Sequence, residues 1–284
     1  MSTEARSRYL VETDWLADHL EAPDIVIVDG SWYLPHMNRD PLAEYKAAHI
    51  PGAVYFDIDD IRDSSSDLPH MLPDPVKFSS RVRKLGISDG RQIIVYDGMG
   101  LFSAARVWWM FKVMGVDDVA VLNGGFAKWQ AEGRPVTSRP PRIIEGHMSA
   151  RLDHTAVRER DDLVKNLDTG YELVIDARPA GRFTGAEPEP REGVASGHIP
   201  GSVNIPFDAL VNPDGTIRDN AELEDRFRSV GWTPGRHVTT SCGSGVTAAA
   251  LTFALTLLGE TEGGLYDGSW TEWGSDPDLP IETG

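Results

Sequence analysis

"AAHIPGAVYFDI" (residues 47–58) and "ASGHIPGSVNIPF" (residues 195–207) are two versions of one phrase, aligned on His49 and His198. Three further pairs keep the same order at nearly constant spacing. "IVIVD" (25–29) matches "LVID" (173–176), "VYDGMGLFSAA" (95–105) matches "TSCGSGVTAAA" (240–250), and "NGGFAKW" (123–129) matches "DGSWTEW" (267–273). Four landmarks in one order describe a domain written twice, not a solenoid of short units. The first domain is assigned to residues 1–133 and the second to 153–284. Between them, 134–152 ("RPVTSRPPRIIEGHMSARL") is rich in Pro, Arg and Ser and reads as a linker.

Within each half, short β-branched runs alternate with longer helical patterns. Residues 25–29, 93–96 and 119–122 read as buried strands, and 103–114 and 246–258 as helices. This alternation predicts an α/β fold, each domain a mostly parallel sheet covered by helices on both faces. In such sheets ligands gather beyond the carboxyl ends of the strands.

The chain has 284 residues, 40% of them apolar and 25% charged, ordinary values for a globular protein. Its net charge of −17 repels nucleic acid and anionic membranes, so neither is expected as a partner. The opening "MSTEARSRYLVETDWL" lacks the features of a secretory signal, no apolar run is long enough to span a bilayer, and one cysteine cannot form an internal disulfide. A cytoplasmic location is the expectation. The eight histidines are scattered, and there is no zinc cluster, P-loop or dinucleotide fingerprint, so no metal or cofactor is expected.

That single cysteine, Cys242, stands between the strand-like "HVTTS" and the helical run from 246. Its neighbours are Ser241, Gly243, Ser244 and Gly245. A glycine-rich turn points successive N–H groups inward, and the following helix adds its positive end. Both favour a thiolate. A buried Cys acting as a small hydrophobe is the bland alternative, but these flanking residues are not packing residues. The position matching Cys242 in the first half is Asp97, so one active site per chain is expected. A phosphatase of the Cys-x5-Arg type would need arginine at 248, where Ala248 stands.

At these residues the chain resembles the two-domain rhodanese-type sulfurtransferases, over nearly its whole length. The loop Cys242-Gly243-Ser244-Gly245-Val246-Thr247 is similar to that of members acting on 3-mercaptopyruvate, whereas thiosulfate-specific members carry basic residues just after the cysteine. The resemblance implies sulfur transfer through a Cys242 persulfide to thioredoxin, a small thiol or cyanide. Thiosulfate is the alternative donor, and a non-catalytic rhodanese-like binding module the alternative of another class. The resemblance also makes Arg182 and Arg191, in "GRFTGAEPEPREG" (181–193), receptors for the substrate carboxylate, consistent with the fork geometry of arginine. Taken without it, these arginines would pair with Glu187, Glu189 or Glu192. It further implies that Asp59 and His70 act with Ser244 in proton transfer. His49 and His198 recur in both halves, only one of which has a nucleophile, so a structural role is expected for both.

Overall fold

A computed structural model describes residues 2–260 and 263–284. In the first half, β1 (Leu10–Val11), β2 (Ile25–Asp29), β3 (Val54–Tyr55), β4 (Gln92–Tyr96) and β5 (Val119–Leu122) form a parallel sheet in the order β1-β5-β4-β2-β3. In the second half, β6 (Val157–Arg158), β7 (Leu173–Asp176), β8 (Val203–Asn204), β9 (Val238–Ser241) and β10 (Gly263–Tyr266) repeat that order as β6-β10-β9-β7-β8, again all parallel.

Successive strand residues point to opposite faces, and here both faces are buried. Val28, Ile93, Val95, Val119 and Val121 face the helices Pro75–Lys84 and Ala104–Val113, while Ile27, Ile94, Ala120 and Leu122 face Thr13–Asp18 and Gly125–Ala131. The unbroken β-branched runs have this cause. In the second half, Ala248–Leu257 and Asn220–Ser229 line the inner face, and Arg160–Thr169 and Ser269–Trp273 the outer.

The inner layers of the two domains are one continuous core. Ala104–Val113 packs on Ala248–Leu257, with Trp108 edge-on to Phe253 at a ring separation of 4.9 Å. The aromatic run of the first helix and the alanine-rich run of the second are thereby explained: bulky residues on one side meet small ones on the other. Segment 134–152 contains no helix but is bound along the first domain. Gly146 and Arg151 donate backbone hydrogen bonds to Arg83 and Met114, and Met148 is buried. Among the described residues no helix is long and apolar enough to cross a membrane.

His49 and His198 do the same work in each domain. The ring Nδ1 of His49 lies 2.7 Å from the Tyr45 carbonyl and that of His198 2.8 Å from the Phe183 carbonyl, each ring stacked on that residue. Their backbones bridge to Thr137 and Glu282, the segments that close each domain.

Candidate active site

The strand β9 ends at Ser241, and Cys242 is the next residue, 2% exposed. Outward hydrogen bonds hold the turn that follows. The Trp270 amide donates to the Cys242 carbonyl (2.9 Å), and the Thr271 amide and hydroxyl both donate to the Gly243 carbonyl (3.0 and 2.5 Å). In a trans peptide the carbonyl and N–H point opposite ways. Carbonyls held outward therefore turn the Gly243 and Ser244 amides inward.

The first domain shows what such a turn holds. Asp97, at the position of Cys242, accepts four backbone N–H groups: Met99 (2.7 Å) and Gly100 (2.6 Å) on one oxygen, Ser103 and Ala104 (both 2.7 Å) on the other. It is an anion cradle filled by the chain's own carboxylate. In the second domain the matching amides of Ser244 and Gly245 make no hydrogen bond among the described residues.

Cys242 opens into a cavity of about 410 Å³ between the domains, walled by Trp32, Met99 and Phe102 from one and Phe207, Arg182 and Arg191 from the other. Both guanidinium groups converge on Gly243. A Cβ placed there would lie 3.1 Å from Arg182 Nη2 and 3.7 Å from Arg191 Nη1. A side chain there would crowd the Arg182 guanidinium and meet Arg191 in ordinary contact, so the glycine leaves room for both arginines. The two arginines are held differently. Arg182 forks onto the buried carboxylate of Glu189, which also accepts from Arg178 at 2.7 Å, and Arg178 is paired in turn with Asp176. Arg191 makes no hydrogen bond or ion pair among the described residues. Burial pushes its guanidinium below the usual arginine range, opposed by the pull of Cys242. Val246 and Thr247 also line the cavity.

On the first-domain side, His70 Nδ1 stands 3.0 Å from Asp59 Oδ1, a close but poorly aligned contact, and Trp32 Nε1 donates to Asp59 Oδ2 at 2.9 Å. Burial raises the Asp59 carboxyl, but His70 and Trp32 outweigh it and hold it below the usual range. His70 is buried and its Nε2 has no hydrogen-bond partner. Asp59 and His70 are brought together, but no hydrogen bond joins His70 to Ser244. Arg106 ties the His70 loop to the residue after Ser244, donating from Nη2 to the His70 carbonyl (2.5 Å) and from Nη1 to that of Gly245 (3.4 Å).

Among the described residues, three besides glycine have positive φ: Asn38, His70 and Ser269. Ser269, bonded to Cys242, and His70, tied through Arg106 to the Cys242 loop, stand at positions where the other domain has glycine. His70 (φ 60°) corresponds to Gly215 (φ 80°), and Ser269 (φ 51°) to Gly125 (φ 57°). The Ser269 hydroxyl accepts from the Cys242 amide at 3.3 Å and donates to the Tyr266 carbonyl at 2.8 Å. A side chain in this region costs energy that glycine avoids, and such strain collects at functional sites.

A family model for the rhodanese-like domain matches residues 12–132 and again 159–276. The chain belongs to the rhodanese-like family. It is 41% identical to the thiosulfate/3-mercaptopyruvate sulfurtransferase 1, mitochondrial, of Arabidopsis thaliana, over 99% of this chain and 80% of that one. It is also 41% identical to the 3-mercaptopyruvate sulfurtransferase of Escherichia coli K12, over 96% and 98%. The crystal structure of SseA from Escherichia coli superposes with a TM-score of 0.85 at 40% identity, covering 92% of this chain and 98% of that one.

In this rhodanese chain the sequence reading passed over Arg106, Trp32, Asp267 and Ser269, and named Glu189 as one of three partners open to the arginines, the one that Arg182 takes. Comparing the two halves position by position exposes two of them, since Arg106 matches Leu251 and Ser269 matches Gly125.

Proposed function

We propose that the protein is a sulfurtransferase that takes sulfur from 3-mercaptopyruvate onto Cys242 and passes it to a thiol or to cyanide. The Asp97 cradle carries this reading. The carboxylate oxygens of an aspartate lie three bonds from Cα, and so does the outer sulfur of a cysteine persulfide. The turn that gives four N–H groups to the Asp97 oxygens is therefore, in the second domain, the right size for a Cys242 persulfide anion.

The donor carboxylate meets Arg182 and Arg191, which sets its sulfur beside Cys242. The Cys242 thiolate attacks that sulfur. An S–S bond forms, the C–S bond breaks, and its electron pair leaves on carbon as the enolate of pyruvate. The donor's S–H proton balances the step, leaving sulfur and arriving at the enolate carbon. On this reading His70, beside Asp59 and with Nε2 unpaired, is the group that carries it, with Ser244 as the intervening hydroxyl. In the second half-reaction the acceptor attacks the outer sulfur and Cys242 leaves as thiolate, the ping-pong order of covalent catalysis. Gly243 and Ser244 add no cation beside the sulfur, which favours a donor whose charge lies away from it. Thiosulfate is the secondary donor on this reading, in keeping with the double name of the Arabidopsis relative. The acid-rich surface and a cytoplasmic setting suit a small or protein thiol as acceptor.

The test is kcat/KM for both donors, followed by pyruvate and by thiocyanate. Mercaptopyruvate is expected to exceed thiosulfate at least tenfold. Thiosulfate as the better donor overturns the reading.

A further inference from the structure

The two domains meet through a pair of matched contacts. On one side the Ile217 amide donates to Asn123 Oδ1 (2.9 Å), and Gly215 rests against Gly100 beside Asp97. On the other the Leu72 amide donates to Asp267 Oδ2 (2.6 Å), and His70 lies by the Cys242 loop. Asn123 and Asp267 are counterparts in the repeat, as are Gly215 and His70. Each domain thus lays one loop over the other's turn and fastens it with one amide.

The side with the nucleophile carries something more. Arg106, fully buried, places Nη1 2.6 Å from Asp267 Oδ1 and 3.4 Å from the Gly245 carbonyl, and Nη2 2.5 Å from the His70 carbonyl. On the other side its place is taken by Leu251. A buried ion pair is a poor stabiliser, because removing two charges from water offsets their attraction. The junction at Asn123 and Leu251 closes without one. We propose that Arg106 and Asp267 are positioning residues for the reaction at Cys242, fixing the His70 loop and the Gly245–Val246 peptide in one mutual geometry. Holding the Gly245 carbonyl fixes the Gly245–Val246 peptide, which directly follows the cradle amides of Ser244 and Gly245. Holding the His70 carbonyl keeps that residue in its left-handed backbone, with its ring against Asp59 and Trp32. Neither charged group touches substrate. The pair acts through Gly245 and His70.

This inference rests on the reading of Cys242 as sulfur carrier, and the experiment separates the two. Arg106→Leu with Asp267→Asn gives this junction the residues of its counterpart. Single-turnover pyruvate release from mercaptopyruvate, steady-state KM and urea unfolding are measured for wild type, this double variant, Arg106→Lys and Asn123→Ala. The double variant is expected to fold, to keep KM within about threefold, and to lose roughly ten- to a hundredfold in single-turnover rate, as small misplacements at reacting groups do. Arg106→Lys recovers part of the rate, since an ammonium can meet Asp267 but cannot span both carbonyls. Asn123→Ala, which removes the equivalent tie on the other side, loses stability and keeps the rate. A double variant within twofold of wild type overturns the proposal. So does one that fails to fold, or an Asn123→Ala variant that loses as much rate, since the pair would then serve the junction alone. Wild type releasing no pyruvate refutes the function itself, a different failure.

Discussion

Removing Arg191 and removing Arg182 should have different consequences, because one is free and the other is bound. Arg182 is 15% exposed and forks onto Glu189, which is 3% exposed and shared with Arg178. Arg182→Ala leaves that carboxylate with one partner instead of two. A lost charge-assisted hydrogen bond to a buried group costs about 1–3 kcal/mol of stability. Arg191 has no such tie, and burial already works against its charge. Arg191→Ala should therefore leave stability within about 0.5 kcal/mol of wild type. In catalysis the two should look alike. Each charge-assisted bond to the donor carboxylate is worth about 1.5–3 kcal/mol, so either variant loses roughly ten- to a hundredfold in kcat/KM for mercaptopyruvate. Arg191→Lys should recover part of this, lacking only the planar fork. Urea unfolding and pyruvate release together make the assay. If Arg191→Ala is as destabilised as Arg182→Ala, or keeps full kcat/KM, the assignment of Arg191 as a free carboxylate receptor is wrong.

At Ser269 the usual preference for alanine over glycine should invert, Ser269→Gly being more stable than Ser269→Ala by about 1 kcal/mol in urea because the backbone is left-handed there; an alanine variant at least as stable refutes this. Asp29, the counterpart of Asp176, has Ser31 where Asp176 has Arg178, and burial raises its carboxyl to about 6. Because the folded state holds this proton more tightly than the unfolded chain, ionising Asp29 destabilises above pH 6 and not below about 4. Asp29→Asn should stabilise by up to about 3 kcal/mol at pH 8, a gain that shrinks as the pH falls below 6 and is gone by about 4; a gap independent of pH contradicts it.

The sheets were legible because parallel strands buried on both faces leave continuous β-branched runs, as at Ile25–Asp29 and Leu173–Asp176. The place of Cys242 just past the end of a strand was legible because the β-branched run before it and the apolar run from 246 bracket a glycine-rich turn. Arg106 was not. It lies within "AARVWWMFKV", where every residue but Lys112 is buried, and its partners are 36, 139 and 161 residues away. Nor could spacing show that Glu189 takes Arg182 and leaves Arg191 free, since three glutamates flank them. The Asp59–His70 pairing is local enough to infer, but its approach to the Cys242 loop depends on how the domains dock, which no periodicity records.

The central claim is that Cys242 carries sulfur from 3-mercaptopyruvate, and a chain with one cysteine allows a direct test. Intact mass is measured before and after mercaptopyruvate, for wild type and for Cys242→Ser. The account predicts a gain of one sulfur atom in wild type, removed by cyanide, and no gain in the serine variant. An unchanged wild-type mass, or a gain that survives Cys242→Ser, contradicts it.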